Sequence, residues 1–203
     1  MKKIFITTSL CIVAVLINSK AVAQNLPIQF GVKAGVNLSN VSGEDVEHTK
    51  FLTGFNVGIT LDYEFAENMY IQTGLEFTTK GFKQEETREL YEVTATAHYL
   101  QLPLHYASKL EITNNTKFIF FVGPYLAYGI GGKATVKERR KETFDYFEEG
   151  TNKFDMGIGG GIGIEDGKIN FCIGYDYGLL NVQSDYDTII RNQNLYLTIG
   201  YKF

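Results

Sequence analysis

The stretch Leu195–Phe203, LYLTIGYKF, has the alternating pattern from which the fold is predicted. Its odd-numbered residues are Leu, Leu, Ile, Tyr and Phe, and its even-numbered residues are Tyr, Thr, Gly and Lys. Because successive side chains of a β-strand point to opposite faces, this alternation predicts a strand with one apolar face and one mixed face. A strand at the end of a sheet exposes unpaired backbone groups, so we expect a first strand of the same kind to pair with it.

Seven further runs of the chain alternate in the same way, which predicts an eight-stranded sheet. Pro103 lies within one of them, and because proline cannot donate a backbone hydrogen bond we expect a bulge or bend there. The seven predicted strands are Phe30–Ser39, Phe51–Phe65, Met69–Thr78, His98–Leu110, Lys117–Ile130, Phe154–Ile164 and Ile169–Gly178.

The connections between these runs alternate in length. Short turns are predicted near 66–68, 111–116 and 165–168, whereas the long polar connections are predicted at 40–50, 81–96, 131–153 and 179–192. An even number of antiparallel strands places both termini at the end with the short turns and every long loop at the other end. The predicted fold is therefore an all-β, eight-stranded antiparallel up-and-down barrel.

The less apolar face decides whether the barrel lies in a membrane or in water. A soluble, lipocalin-like barrel would expose this face, and charged residues and threonine would be expected on it. Instead, Gly157, Gly159, Gly161 and Gly163 share it, and glycine weakens an exposed strand without benefit. Small residues fit the narrow interior of an eight-stranded barrel. We therefore predict a transmembrane barrel with a filled lumen and keep the soluble small-ligand carrier as the alternative.

Several larger residues on the same face are expected to fill this lumen. The aromatic ones are Tyr99, Phe121, Tyr125 and Tyr196. The charged ones, expected to pair inside the lumen or at its rim, are Lys33, Asp62, Glu64, Glu76, Asp176 and Lys202. The apolar face ends in residues typical of membrane-interface girdles, namely Tyr63, Phe65, Tyr106, Tyr128, Tyr177, Tyr201 and Phe203.

The N-terminal segment predicts export. Lys2 and Lys3 precede an apolar run over 4–17, and Ala21-Val22-Ala23 has the small-x-small pattern of a signal-peptidase site. We therefore expect residues 1–23 to be a signal peptide and residues 24–203 to be one barrel domain. Removal of 1–23 would leave 16 basic and 23 acidic side chains, a formal charge of −7 that disfavours a nucleic-acid partner.

Several motifs resemble those of the outer membrane protein β-barrel domain family, which includes porin-family and PorT-like barrels. They are FGVKAGVNLS at 30–39, YLQLPL at 99–104, GPYL at 123–126, the glycine-rich run at 154–164 and the terminal Phe203. The resemblance covers roughly 28–203. It implies insertion into a Gram-negative outer membrane by the barrel assembly machinery, with Phe203 as part of the insertion signal.

Residues that could carry chemistry are few. His48 lies among Glu44, Asp45 and Glu47 without a second histidine or cysteine at ligand spacing, which indicates a solvated acidic loop rather than a metal site. His105 is expected to hydrogen-bond inside the lumen to Tyr99 or Gln101. The predicted extracellular rim offers His98, Ser42, Ser184 and Asp185 but no catalytic motif, so we predict no enzyme, no metal and no cofactor.

The predicted function is structural or surface-interacting, through long extracellular loops. An eight-stranded barrel is too narrow for a general-diffusion pore. The expected partners are outer-membrane lipids, the assembly machinery and a protein or lipopolysaccharide phosphates at the charged connection 131–153, and the protein is expected to be a monomer. A component of an outer-membrane transport or secretion assembly is the other alternative.

Overall fold

The computed structural model describes residues 27–43, 49–86, 91–137, 141–147, 151–183 and 189–203. Within these ranges the chain forms nine antiparallel strands. Within the same residue ranges, no helix is long and apolar enough to cross a membrane. The strands are β1 (Ile28–Ser42), β2 (Thr49–Ala66), β3 (Met69–Glu86), β4 (Tyr91–Glu111), β5 (Thr116–Lys137), β6 (Lys141–Asp145), β7 (Phe154–Asp166), β8 (Ile169–Gly178) and β9 (Arg191–Lys202).

Eight of the strands close into the predicted ring. The sheet order is β4-β3-β2-β1-β9-β8-β7-β5, and β4 also pairs with β5. The expected pairing of the first and last strands is confirmed, with Val36 opposite Leu197 and Ala34 opposite Ile199. Each barrel strand therefore has a neighbour on both sides, and closure removes the sheet edges.

The alternation of side chains places the two faces as predicted. On β9, the even-numbered residues from Asn192 to Lys202 are buried in the lumen, and the odd-numbered residues from Leu195 to Tyr201 are exposed. On β5, Phe121 and Tyr125 are buried, whereas Phe120 and Leu126 are exposed. The apolar face thus points outward along the wall of the barrel.

The three short turns lie at one end of the barrel, which we call the short-turn end. The hairpin at 167–168 joins β7 to β8, and the turn at 67–68 joins β2 to β3. Gly167 has φ 57° and Asn68 has φ 60°, a left-handed backbone that glycine and asparagine adopt readily. The other end, where the longer connections leave the strands, is the long-loop end.

The predicted loops at 81–96 and 131–153 are wrong in part, because strands occupy much of both. β3 continues to Glu86, β4 begins at Tyr91, and β5 continues to Lys137. The additional strand β6 pairs with β5 through Phe144 opposite Ala134. Together, 82–86, 91–97, 131–137 and β6 form a sheet at the long-loop end, here called the projecting sheet.

Of the bulge or bend expected at Pro103, the bulge is not observed. Thr73 pairs with Leu104 and Glu76 with Gln101, so the register with β3 is the same on both sides of Pro103. The carbonyl oxygen of Pro103 accepts a hydrogen bond of 2.7 Å from the Thr73 hydroxyl. The register with β5 instead shifts between His98 and Tyr99, where the projecting sheet begins.

Candidate functional site

The floor of the lumen, at the short-turn end, is a cluster of two lysines and two carboxylates. Asp62 Oδ2 lies 2.7 Å from the ammonium nitrogens of both Lys109 and Lys202. Glu165 also contacts both lysines, with 3.3 Å between its Oε2 and Lys109 Nζ. The Lys109 ammonium lies 4.1 Å from the ring centroid of Tyr70. Because the pairs are buried and share partners, this cluster fixes β2, β4, β7 and β9 relative to each other.

A cavity of about 80 Å³ lies above this floor. Its wall includes Asp62 and Lys202 of the floor cluster and, from other strands, Lys33, His105 and Phe121. Lys33 forms an ion pair with Glu76, with 2.5 Å between Nζ and Oε2. The His105 ring stacks on Phe121 with 5.3 Å between centroids. The cavity therefore lies between an ionic floor and the ring pair of His105 and Phe121, and it has room for several water molecules.

A second buried ion pair crosses the lumen nearer the long-loop end. Lys80 Nζ lies 3.0 Å from Asp155 Oδ2, and both side chains are at most 3% exposed. The same oxygen accepts hydrogen bonds from Asn192 Nδ2 at 3.1 Å and Tyr125 Oη at 3.3 Å. Lys80 also lies over the rings of Tyr125 and Tyr99, at 4.2 Å and 5.4 Å from their centroids.

Neutral polar side chains fill the same part of the lumen on the side of β1–β3. Asn56 Nδ2 donates to Asn37 Oδ1 at 2.6 Å, and Asn37 Nδ2 donates to Thr78 Oγ1 at 2.8 Å. Elsewhere in the lumen, Gln101 Nε2 of β4 donates to the Asp176 carboxylate of β8, with 2.9 Å between Nε2 and Oδ2. Side chains and ion pairs thus occupy the lumen both below and above the cavity, and the predicted filled lumen is confirmed.

The mouth at the long-loop end is covered by aromatic rings that follow β6. Phe147 packs edge-on against Tyr99, with 5.6 Å between centroids, and against Tyr146, with 5.0 Å. A Cβ on Gly129 would lie 2.2 Å from the Phe147 ring, so the glycine leaves the space that this ring occupies. The segment that joins β6 to β7 therefore starts by turning back over the lumen.

Most of the predicted lumen residues are where the alternation placed them. Asp62, Glu76, Asp176 and Lys202 are buried, Lys33 is half-buried, and all four predicted aromatic side chains are buried. Glu64 is exposed. The charged lumen residues that the sequence did not single out are Lys80, Lys109, Asp155 and Glu165.

Two of these four had a signal in the sequence. Lys109 shares the parity of Gln101 and His105, and Asp155 shares that of Gly157, so alternation alone would have placed both side chains in the lumen. Lys80 and Glu165 lay beyond the predicted strand ends. Only the observed strand lengths place them inside.

The histidines were predicted less well. His105 is buried in the lumen as expected, but the predicted hydrogen bond to Tyr99 or Gln101 is wrong, because its Nε2 has no partner among the described residues. His98 stacks on Phe77, with 5.6 Å between centroids. His48, Ser184 and Asp185 lie outside the described residues, so the prediction of no enzyme stays a prediction. Across the described ranges, no three His, Cys, Asp or Glu side chains are grouped to hold a metal ion.

The outer wall of the barrel is apolar on every one of its eight strands. Representative side chains, each at least 45% exposed, are Val36, Ile59, Leu75, Leu102, Phe120, Ile162, Ile173 and Leu197. An exposed apolar surface that encircles a barrel is unstable in water and matches the hydrocarbon core of a bilayer. A closed barrel with an apolar exterior and a polar, filled interior defines a transmembrane β-barrel protein.

Comparison with known proteins assigns the family. Residues 22–184 match the model of the outer membrane protein β-barrel domain, and the chain belongs to this family. The protein is therefore an outer-membrane protein with lipid around its apolar wall, and the soluble-carrier alternative is wrong. No curated protein matches the sequence significantly.

Three solved structures are similar in shape. Ail, the attachment invasion locus protein of Yersinia pestis, in complex with the heparin analogue sucrose octasulfate, is 17% identical over 88% of this chain and 100% of its own, with a TM-score of 0.46. Neisserial surface protein A is 13% identical over 86% and 97%, with a TM-score of 0.49. OprG of Pseudomonas aeruginosa is 13% identical over 88% and 97%, with a TM-score of 0.48. These scores are too low to transfer a ligand or a partner.

Proposed function

We propose that this protein is a non-conducting outer-membrane barrel that acts at the cell surface through its long-loop end. The proposal rests on two features seen together. Side chains block the lumen at several levels, and the projecting sheet extends beyond the lipid-facing wall. An eight-stranded barrel has an interior that side chains can fill, and here they do. We propose that the protein is neither a general-diffusion pore nor an enzyme.

Strand lengths support a projecting surface. A tilted strand needs about 9–11 residues to cross the hydrocarbon core. β8 has 10 residues, whereas β4 has 21 and β5 has 22. The surplus of β4 and β5 lies at the long-loop end, in the projecting sheet. We therefore infer that this end is extracellular and that the short-turn end, with the described ends of the chain, is periplasmic.

The projecting sheet has the charged and aromatic groups that a docking surface uses. Lys137 is 65% exposed, and its only ion pair among the described residues is a surface contact of 3.6 Å with Glu92. Phe144 is 48% exposed on β6, next to the exposed Glu142. We propose that residues 131–153 contact a partner protein or lipopolysaccharide phosphates from this surface.

We also propose how the protein is exported and inserted into the outer membrane. Residues 1–23 act as a cleaved signal peptide and 24–203 fold as one domain that the barrel assembly machinery inserts. We propose that the barrel works as a monomer, since closure leaves no barrel strand with a free edge for a second copy to pair with. Lipids of the outer membrane are its permanent surroundings.

Photocrosslinking in intact cells tests the proposal. A photoreactive phenylalanine analogue at Phe144 is compared with the same analogue at Phe65, which is 46% exposed at the short-turn end of β2. We expect adducts to a surface partner or to lipopolysaccharide from position 144 and none of these from position 65. Adducts to periplasmic proteins from position 144 would contradict the proposed orientation. Adducts to an envelope complex would favour the transport-assembly alternative.

A further inference from the structure

One arginine faces outward near the long-loop end of the barrel wall. Arg191 begins β9 and shares the parity of Leu195, Leu197 and Ile199, which are exposed on the lipid-facing side. The Arg191 side chain is half-buried. Every other outward-facing side chain of β1, β8 and β9 is uncharged. Arg191 is therefore the single charge on the outer face of these three strands.

The register of the strands gives this arginine polar neighbours. Ser42 of β1 lies directly opposite Arg191. In the next row toward the short-turn end, Gln193 lies between Asn40 of β1 and Tyr177 of β8. Diagonal neighbours on adjacent strands are within reach of aromatic and long side chains, so Tyr177 can reach Arg191. The outer face of β1, β8 and β9 is thus polar over two rows.

These polar rows lie at one edge of the apolar wall. The following row has the exposed side chains of Leu38, Leu195 and Tyr175. At about 3.3 Å per residue and a tilt of about 40°, Arg191 and Tyr201 of β9 lie about 25 Å apart along the membrane normal, which is the height of the apolar band of such barrels. When Tyr201 lies at one interface, Arg191 therefore lies at the level of the lipid headgroups on the other side.

The charge of Arg191 is not balanced by the protein in the part of the chain that the structure describes. None of the described ion pairs includes Arg191, and its Nε has no hydrogen-bond partner among the described residues. The Tyr177 hydroxyl is hydrogen-bonded to the guanidinium and to Ser42. Because tyrosine and serine are neutral, these contacts orient the guanidinium and leave its charge available to an anion.

A phosphate group matches the chemistry of this position. The planar guanidinium can donate two parallel hydrogen bonds to two oxygens of one phosphate, and such charge-assisted bonds are about twice as strong as neutral ones. Ser42, Asn40 and Gln193 offer further hydroxyl and amide donors beside it. In a Gram-negative outer membrane, the outer leaflet consists of lipopolysaccharide, whose lipid A anchor carries phosphates at the headgroup level.

We propose that Arg191, oriented by Tyr177, binds a phosphate of lipid A on the outer face of β1, β8 and β9. The acyl chains of the same lipid lie along the apolar rows that begin with Leu38 and Leu195. This site is separate from the surface at 131–153. It rests on the proposed orientation of the barrel, because lipopolysaccharide meets Arg191 only if the long-loop end is extracellular.

Native mass spectrometry of the refolded barrel in a zwitterionic detergent tests the site, with purified lipid A as the probe. We expect the wild-type protein to bind lipid A about tenfold more tightly than lipid A stripped of its phosphates. Arg191→Gln should remove this preference. Arg191→Lys, which keeps the charge without the planar fork, should retain part of it. Inorganic phosphate at millimolar concentration should not displace lipid A, and complete displacement would assign the site to free phosphate instead.

Lys168→Gln is the matched control. Lys168 is also a cation beside a tyrosine, with 5.9 Å between its Nζ and the ring centroid of Tyr201, but it lies at the short-turn end. We expect its substitution to leave the binding of lipid A unchanged. Equal losses in Lys168→Gln and Arg191→Gln would show that any surface cation attracts the lipid, and would overturn the proposal.

The wild-type comparison needs no variant to fold. Equal binding of lipid A and of its dephosphorylated form by the wild-type protein would also overturn the proposal. Because the measurement is made in detergent, it does not depend on which end of the barrel is extracellular. Its failure would leave the proposed role of the projecting sheet intact, since crosslinking from Phe144 tests that role separately.

Discussion

Lys80 and Asp155 are 75 residues apart in the chain, yet their charged groups meet at 3.0 Å inside the barrel, from β3 and β7. The pair joins strands that are not neighbours in the sheet, so it connects opposite sides of the lumen. Because both groups are buried and the carboxylate also holds Tyr125 and Asn192, the pair links aromatic, amide and charged residues in one network. This network is one of the layers that fill the lumen.

Lys80→Met should destabilise the folded barrel by about 3–5 kcal/mol, because it leaves the Asp155 carboxylate buried without its ammonium. The control is Lys137→Met, which removes a surface ion pair and should change stability by less than about 0.5 kcal/mol. Urea unfolding of the refolded protein, followed by heat-modifiable gel mobility, measures both. Equal stability of the two variants would show that the buried pair is not structural.

Ile173→Arg should impair membrane insertion. Ile173 is 46% exposed on the lipid-facing side of β8, and an arginine at mid-depth costs about 2–4 kcal/mol. Phe144→Arg is the matched control, because Phe144 is 48% exposed but lies on the projecting sheet. The yield of each variant in the outer-membrane fraction is the measurement. A normal yield of Ile173→Arg would reverse the assignment of the faces.

Phe147→Ala should loosen the closure of the mouth. The variant removes the ring that packs against Tyr99 and Tyr146, and truncation of a half-buried phenylalanine should cost about 1–3 kcal/mol, less than the 3–5 kcal/mol of a fully buried one. Phe144→Ala, at an exposed position of the same hairpin, should cost less than about 0.5 kcal/mol. Urea unfolding compares the two variants. If both cost the same, Phe147 does not close the lumen.

The orientation of the barrel can be read from labelling of intact cells. Phe144→Cys, in the projecting sheet, should react with a membrane-impermeant maleimide, and Asn114→Cys, in the turn between β4 and β5, should react only after the outer membrane is permeabilised. The unmodified protein, with Cys172 half-buried in the lumen, is the background control. The reverse pattern would place the short-turn end outside.

Alternation was enough to predict the barrel, since lipid on one side and a crowded lumen on the other impose a period of two on each strand. The predicted strand Ile169–Gly178 coincides with β8 for this reason. The ends of β3, β4 and β5 were missed because the outward face there is no longer apolar. Opposite the buried Ala95 and Ala97, this face has polar residues such as Thr94, Lys133 and Thr135.

The alternation of side chains along a strand does not show which lumen residues contact each other. Parity indicated that Asp62 and Lys202 point inward, but their contact depends on the closure between β1 and β9 and on the stagger of the strands. His105 and Asp176 likewise come close to each other beside Gly159 of a third strand. A single sequence shows these three residues on the lumen face and not at one point.

Side chains fill the lumen above and below its cavity, and for this reason we propose that the protein acts at the cell surface and not as a pore. Conductance of the purified wild-type protein, inserted into a planar lipid bilayer in concentrated potassium chloride, distinguishes these two roles. We predict no stable channel from the wild-type protein, with a known general-diffusion porin as the positive control. Reproducible open channels of porin size from the wild-type protein would show that its lumen is not closed.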